Sequence, residues 1–278
     1  MEPDLLRIPV GGGVTLHVER YGQGAPPLVL LHGFATSAFY WRALAPRLAE
    51  LPRTVFAIDL LGYGDSDRPA GGAFDSDAQA DALEAAFTEL RITRAPIVGN
   101  DIGGNAALRL AMTRPDRVES LVLINTILEG SLDRGALAEM RRSTARHAVR
   151  LARSVTGAAP LLRPLLAGSV GDSENMPERL IARYLAPYVG KEGAQHLIAL
   201  ARSVGDEKWT PDAPRAGGPS ILYVRGTADE SIDPGSVGRA VARFPLFRMV
   251  SIEGAGRLVA EDAADALFKA IREHLDTS

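Results

Sequence analysis

The chain has 278 residues, a formal net charge of −3 and no cysteine. That length suffices for one large domain or a core with an inserted cap; the charge leaves no electrostatic footprint for nucleic acid, and the lack of cysteine excludes a disulfide framework, thiolate chemistry and Cys-ligated zinc. Five histidines argue against a His-rich metal site, the start MEPDLLRIPV lacks a signal-peptide pattern, and no apolar run of about 18 residues suggests a membrane span, so the expectation is a cytoplasmic protein without membrane or metal.

Leu5–Val10 and Thr15–Tyr21 flank Gly11-Gly12-Gly13 and read as a hairpin. Leu28–Leu31, after Pro26-Pro27, is a continuous apolar run and reads as a buried strand. Tyr40–Glu50 has helical spacing through Trp41, Leu44 and Leu48, with Pro46 an unfavourable interior residue. Thr54–Ile58 reads as a strand, Asp75–Leu90 as a helix, Pro96–Gly99 as a strand, Gly103–Thr113 as a small-residue helix and Val118–Asn125 as a strand. From Ile127 to Arg215 no clear strand is visible, only helical stretches broken by Gly and Pro. Alternation resumes at Ser220–Arg225, Gly235–Phe244, Leu246–Ile252 and Glu261–Leu275.

Alternating strands and helices predict an α/β fold, a mostly parallel sheet flanked by helices. The core is expected at 1–126 and 216–278, with a helical cap at 127–215. Within the cap, Arg142, Arg146, Arg150 and Arg153 share one helix face. A solvated face is preferred there to an acidic ligand or partner, because the overall charge gives no support for one.

The stretch Ile97-Val98-Gly99-Asn100-Asp101-Ile102-Gly103-Gly104 is strand, sharp turn and helix, in the form Gly-x-Asp-x-Gly. It is a nucleophile-elbow pattern with Asp where Ser is usual. Side chains at 99 and 103 would collide in so tight a turn, and the helix N-terminus behind Asp101 favours an anion. A carboxylate so placed can attack an sp³ carbon to form an ester; alternatively it only caps the helix. Leu30-Leu31-His32-Gly33-Phe34 follows a buried strand where an oxyanion loop belongs, so the N–H groups of Phe34 and Ile102 can share one oxygen. His32 is read as hydrogen-bonding backbone and shaping that loop, beside the substrate, rather than as a base.

With these residues the chain resembles the α/β-hydrolase superfamily, and within it the haloalkane dehalogenase and epoxide hydrolase group. The resemblance covers essentially the whole chain. It rests on His32-Gly33, Trp41-Arg42, Asp59-Leu60-Leu61-Gly62-Tyr63-Gly64-Asp65-Ser66, the Gly99–Gly104 elbow and Tyr184-Leu185-Ala186-Pro187-Tyr188. It implies an acid after the next-to-last core strand, which Asp229 supplies, although Asp229 also suits an ordinary acidic turn. It implies a histidine in Glu253-Gly254-Ala255-Gly256-x, and here that position is Arg257. His274 comes too late, on the terminal helix.

An arginine stays protonated and cannot take a proton from water, so hydrolysis of an Asp101 ester loses a base worth about 10²–10⁴ in rate. Arg257 can instead pair with Asp229 or Asp101, or meet a substrate oxygen. Recognition positions also depart from both groups: Ile102 stands where dehalogenases carry Trp, Phe34 where some carry Asn, and Ala35 where epoxide hydrolases carry Pro. Trp41 and Trp209 read as packing residues. Tyr184 and Tyr188 are available as pocket tyrosines, with Pro187 between them disrupting a shared face. His147 and His196 are cap histidines; either is a replacement base if it reaches Asp101, and His147 is placed at the pocket. No Walker A pattern, His-Glu-x-x-His or Gly-x-Gly-x-x-Gly after a strand appears, so no cofactor is expected.

Three readings follow. One is an enzyme using Asp101 for elimination, cyclisation or isomerisation of an apolar small molecule under the cap. The second is an Asp-nucleophile hydrolase with a replacement base. The third is a catalytically silent ligand-binding protein.

Overall fold

The computed structural model describes residues 1–131, 159–204, 206–208, 218–241 and 247–277. Three consecutive glycines with φ of +96°, +58° and +76° reverse the chain at 11–13, a region that costs glycine no steric strain. The strands on either side, β1 (Asp4–Pro9) and β2 (Thr15–Tyr21), therefore pair antiparallel, from Asp4↔Arg20 to Pro9↔Thr15.

The remaining strands of the main sheet are β3 (Pro27–Leu31), β4 (Thr54–Ile58), β5 (Ala95–Asn100), β6 (Val118–Ile124), β9 (Ser220–Gly226) and β10 (Phe247–Ile252). Their order is β1-β2-β4-β3-β5-β6-β9-β10, parallel from β4 through β10. Leu28–Leu31 and Ala95–Val98 are fully buried, as apolar strands covered on both faces must be. Two short strands, β7 (Glu129–Ser131) and β8 (Asp206–Lys208), form a separate antiparallel pair inside the stretch expected to lack strands. At three residues each they are too short to carry an alternating pattern.

The helices between strands are α1 (Ala45–Ala49), α2 (Ser76–Glu89) and α3 (Ile102–Thr113); the insert between β6 and β9 adds α4 (Ala159–Ala167), α5 (Glu178–Leu185) and α6 (Gly190–Ser203). The chain ends with α7 (Pro234–Val241), α8 (Val259–Asp262) and α9 (Ala264–Leu275). Asp75 caps α2, its side chain accepting from Ala78 N at 3.0 Å. The helix expected over Tyr40–Glu50 is instead two pieces, a 3₁₀ turn at Ala38–Trp41 and α1. Pro46 explains the break: it lies in the first turn of α1, where its missing N–H costs nothing. The helix expected over Glu261–Leu275 is likewise split at Ala263, whose φ and ψ of −146° and 53° leave the helical region. The arginine stripe at 142–153 lies outside the described residues, as do His147 and Trp209. Among the described residues no helix is long and apolar enough to cross a membrane.

One buried pair ties the antiparallel edge to the loops that follow the parallel strands. His17, on β2, donates from Nδ1 to Asp59 Oδ2 at 2.9 Å. Asp59 follows β4 and also accepts from Ala38 N at 2.6 Å and Asp65 N at 2.8 Å. The Asp59 bond raises His17 above its ordinary value against the opposing effect of burial. Burial alone would raise Asp59, but His17 and the backbone N–H groups hold it below the usual carboxylate range. The His17 contribution to stability is thus fully present below about pH 6.5 and lost as pH rises through its raised value. The Asp59 contribution is present above about pH 4 and lost on acidification. Urea unfolding of His17→Gln should therefore show its widest deficit near pH 6, about 1.5–3 kcal/mol for a charge-assisted bond. The deficit should narrow by pH 9, and one that stays constant with pH would show that His17 is not charged in the folded protein.

Candidate active site

The carboxyl ends of adjacent parallel strands carry the residues of interest, as open α/β sheets place their ligand sites. Leu31 on β3 is in register with Gly99 on β5, so the loop after β3 lies against the turn after β5. That turn is a sharp elbow. Asp101 sits at φ 53° and ψ −120°, a backbone region that costs a non-glycine residue about 1–3 kcal/mol. Its N–H is held by Ile124 O on β6 at 2.8 Å.

The glycines permit the elbow. A Cβ at Gly99 would lie 2.5 Å from Gly104 N, and one at Gly103 would strike the carbonyls of His32 and Leu31. A Cβ at Gly33 would lie 2.7 Å from Asn100 Nδ2 and 3.2 Å from Asp101 Oδ2. Asn100, the last residue of β5, is steadied by Tyr40, whose hydroxyl donates to its Oδ1 at 3.2 Å and accepts from Ala260 N at 3.0 Å.

Asp101 is 1% exposed, and its two oxygens have different surroundings. Oδ2 accepts from Phe34 N at 3.0 Å and lies 3.6 Å from Arg257 Nη1. Oδ1 is buried with no hydrogen-bond partner among the described residues. Burial raises the Asp101 carboxyl above the ordinary range; Arg257 and the N–H groups of Phe34 and Ile102 oppose this, and Asp229 adds to it. The structure thus brings Asp101, Phe34, Ile102 and Arg257 together.

Asp229 follows β9 and is spoken for locally. Its Oδ1 accepts from Ser231 N at 2.9 Å and Ser231 Oγ at 2.5 Å, while Oδ2 is buried without a partner among the described residues. Arg257 does not bond it; its Nη2 donates to Ser169 Oγ at 2.9 Å. Asp229, Arg257, Ser169, Leu165 and Ser231 line a cavity of about 360 Å³, whose lining Asp101 does not join.

The other candidates are placed as follows. His32 is fully buried, donating from Nδ1 to Gly33 O at 2.8 Å and accepting Leu60 N at Nε2 at 3.1 Å. Both ring nitrogens are engaged by backbone, and burial lowers its affinity for a further proton, so it shapes the loop and has no nitrogen left for a substrate. Tyr184 donates to Glu261 Oε1 at 2.5 Å, and Glu261 also takes both Arg42 Nη atoms, at 2.7 and 2.6 Å. Tyr184 therefore joins the insert to the core through Glu261. Tyr188 is buried, and its hydroxyl has no hydrogen-bond partner among the described residues. His196 donates from Nε2 to Gly62 O at 2.5 Å and packs edge-on against Phe74.

Three residues not singled out in the sequence hold the Arg257 loop. Asn125, at φ 43°, donates from Nδ2 to Gly256 O at 2.9 Å and accepts Gly226 N at Oδ1 at 2.9 Å. Asp262 Oδ2 accepts both Gly256 N and Gly171 N at 2.8 Å. Ser169 is the partner of Arg257 itself. Only Asn125 leaves a local signal, an amide directly after an apolar strand; the others are long-range contacts.

Gly103→Ala should force the elbow away from the β3 loop, an overpacking cost of about 1–3 kcal/mol. Chemical denaturation checks this, and wild-type stability would show that the close approach is not needed.

The family model for the alpha/beta hydrolase fold matches residues 26–264. The chain is 36% identical over 127 residues to a 2-hydroxymuconate semialdehyde hydrolase of Pseudomonas sp. (strain CF600), covering 45% of this chain and 44% of that protein. It is 38% identical over 115 residues to a soluble epoxide hydrolase of Corynebacterium sp. (strain C12), covering 41% and 39%. These alignments span less than half the length of either relative. A haloalkane dehalogenase from Bradyrhizobium elkani superposes with a TM-score of 0.82 at 24% identity, over 99% of this chain and 98% of that one, which shows a shared fold. The chain belongs to the α/β-hydrolase fold family.

Proposed function

We propose that this chain is an enzyme that acts on an apolar small molecule by proton transfer at Asp101, in an elimination, cyclisation or isomerisation, with 127–215 as a cap over the site. The observation that carries this is the pairing of Asp101 with Arg257: Nη1 lies 3.6 Å from Oδ2, while Oδ1 is buried and has no partner among the described residues. Backbone N–H and guanidinium hold Oδ2, which leaves Oδ1 to take or give a proton. Burial raises the carboxyl's affinity for that proton. The same Oδ1 is placed to attack carbon, but Arg257 cannot deprotonate water, so an ester formed there would persist.

The second reading is hydrolysis with a replacement base, favoured by the relatives whose names are those of hydrolases. Against it, His32 and His196 already bond backbone carbonyls. His147 lies outside the described residues.

The test is solvent-deuterium incorporation at carbons next to the carbonyl of small apolar ketones, followed by mass spectrometry in D₂O. Incorporation about 10²–10⁴ above the buffer rate is expected, and Asp101→Asn should abolish it. In parallel, intact-protein mass after exposure to styrene oxide or 1-bromobutane should show at most one adduct per chain. Multiple turnover of either compound would overturn the proposal in favour of a hydrolase. No exchange, no adduct and no turnover would favour a silent binding protein.

A further inference from the structure

We infer that Ser169, in the insert, is the positioning residue for Arg257, so that seating the insert on the core sets the charge around Asp101. This rests on the reading of Asp101 and Arg257 as the working pair. In a hydrolase triad the acid after the next-to-last strand orients the residue at 257. Here that acid, Asp229, bonds Ser231 and leaves Arg257 alone. Among the described residues the guanidinium donates from Nη2 to Ser169 Oγ, at 2.9 Å.

The serine is built to receive it. Ser169 follows the C-terminus of α4 and is 2% exposed. Its hydroxyl proton is committed to Leu165 O, one turn back in α4, so the oxygen's lone pairs are what Arg257 meets. Gly168 N and Ser169 N close the helix end onto Pro164 O and Leu166 O, each at 3.0 Å. A helix C-terminus carries partial negative charge, so a cation is favoured there as well.

The two loops are also locked backbone to backbone. Leu258 N donates to Ser169 O at 2.8 Å. A Cβ at Gly256 would lie 2.7 Å from Val170 C and 2.8 Å from Gly171 N. The Asp262 carboxylate then takes N–H groups from both loops, Gly256 N on one side and Gly171 N and Asn175 Nδ2 on the other. Ser169 Oγ therefore cannot shift relative to the Arg257 backbone without breaking this contact. With Nη2 fixed by Ser169, Nη1 of the same rigid fork is directed at Asp101 Oδ2.

The groups that act on Asp101 are Arg257 from the loop after β10, Asp229 after β9, and the N–H groups of Phe34 and Ile102; the Tyr63, Tyr40 and Tyr223 hydroxyls also feel its charge. Of these, Arg257 is the only cation. Loosening it raises the affinity of Asp101 for a proton; removing Asp229 lowers it.

The experiment reads the ionisation of Asp101 directly, without any substrate. Aspartate side-chain carboxyls are labelled with carbon-13, and the Asp101 signal is assigned by its loss in Asp101→Asn. An adjacent arginine lowers a carboxyl by about 1–3 units, and Ser169→Ala should give back part of that, moving the titration midpoint up by about one unit. Ser169→Thr, which keeps the oxygen, should leave the midpoint near that of the wild type. Asp229→Asn should move it down. A folded Ser169→Ala chain with an unmoved midpoint, while Arg257→Met raises it, would overturn the positioning role. If Arg257→Met also leaves the midpoint unmoved, the pairing of Asp101 with Arg257 fails instead. In the unaltered protein, nitrogen-15 spectra should show hindered rotation of the Arg257 Nη2 group; free rotation would overturn the inference even if Ser169→Ala does not fold.

Discussion

A carboxylate at the carboxyl end of a central strand, 1% exposed, is the constraint around which the rest is arranged. Burying such a group without partners costs far more than a domain's net stability, so it must be surrounded by donors or take a proton. The sheet order supplies the donors. Because β3 lies beside β5, the Phe34 N–H reaches Oδ2. Because β6 and β9 carry β10 alongside, the loop after β10 brings Arg257 to the same oxygen. One oxygen is thereby satisfied from separate parts of the chain, while the other has no hydrogen-bond partner among the described residues. Asp101 makes no capping bond to α3 through its side chain, so it is not held there as an ordinary helix cap.

The approach of these loops requires backbone to meet backbone, which is why small residues recur where they do. Gly103 lets α3 start directly against the carbonyls of β3 and its loop, and Gly256 lets the Arg257 loop touch the insert. Neither contact leaves space for a side chain. The polar groups exposed by these turns are then taken up individually: Asn125 by Gly256 O and Gly226 N, Asp262 by Gly256 N and Gly171 N. Loop is thereby fastened to loop beyond the ends of the strands.

What the sequence disclosed follows from how local each feature is. The elbow was legible because strand, turn and helix lie within eight consecutive residues, and Arg257 because it fills a position defined by a short glycine-rich stretch. The parallel strands were legible from continuous apolar runs. The partition of Tyr40–Glu50 and Glu261–Leu275 into two helices each was not, since periodicity ignores where a proline falls within a turn or whether a side chain such as Glu261 is held elsewhere. Nothing local indicates that the Tyr184 hydroxyl belongs to Glu261. Ser169 is 88 residues from Arg257 along the chain; a serine after a helix has no pattern that announces a guanidinium.

Arg257 itself shows whether its site is one that an arginine merely occupies. Removing a guanidinium from water costs several kcal/mol even after relaxation, and a long cationic side chain normally turns its head toward solvent. At 257 it has room to do so, because the adjoining cavity of about 360 Å³ lies along its flank. The side chain instead stays 12% exposed and points between Ser169 and Asp101. The attraction of the buried carboxylate, the oriented serine oxygen and the carbonyl end of α4 together outweigh the loss of hydration. An arginine held inward between a serine oxygen and a buried carboxylate is fixed in place by its surroundings, and among the described residues the Asp101 Oδ1 beside it has no hydrogen-bond partner.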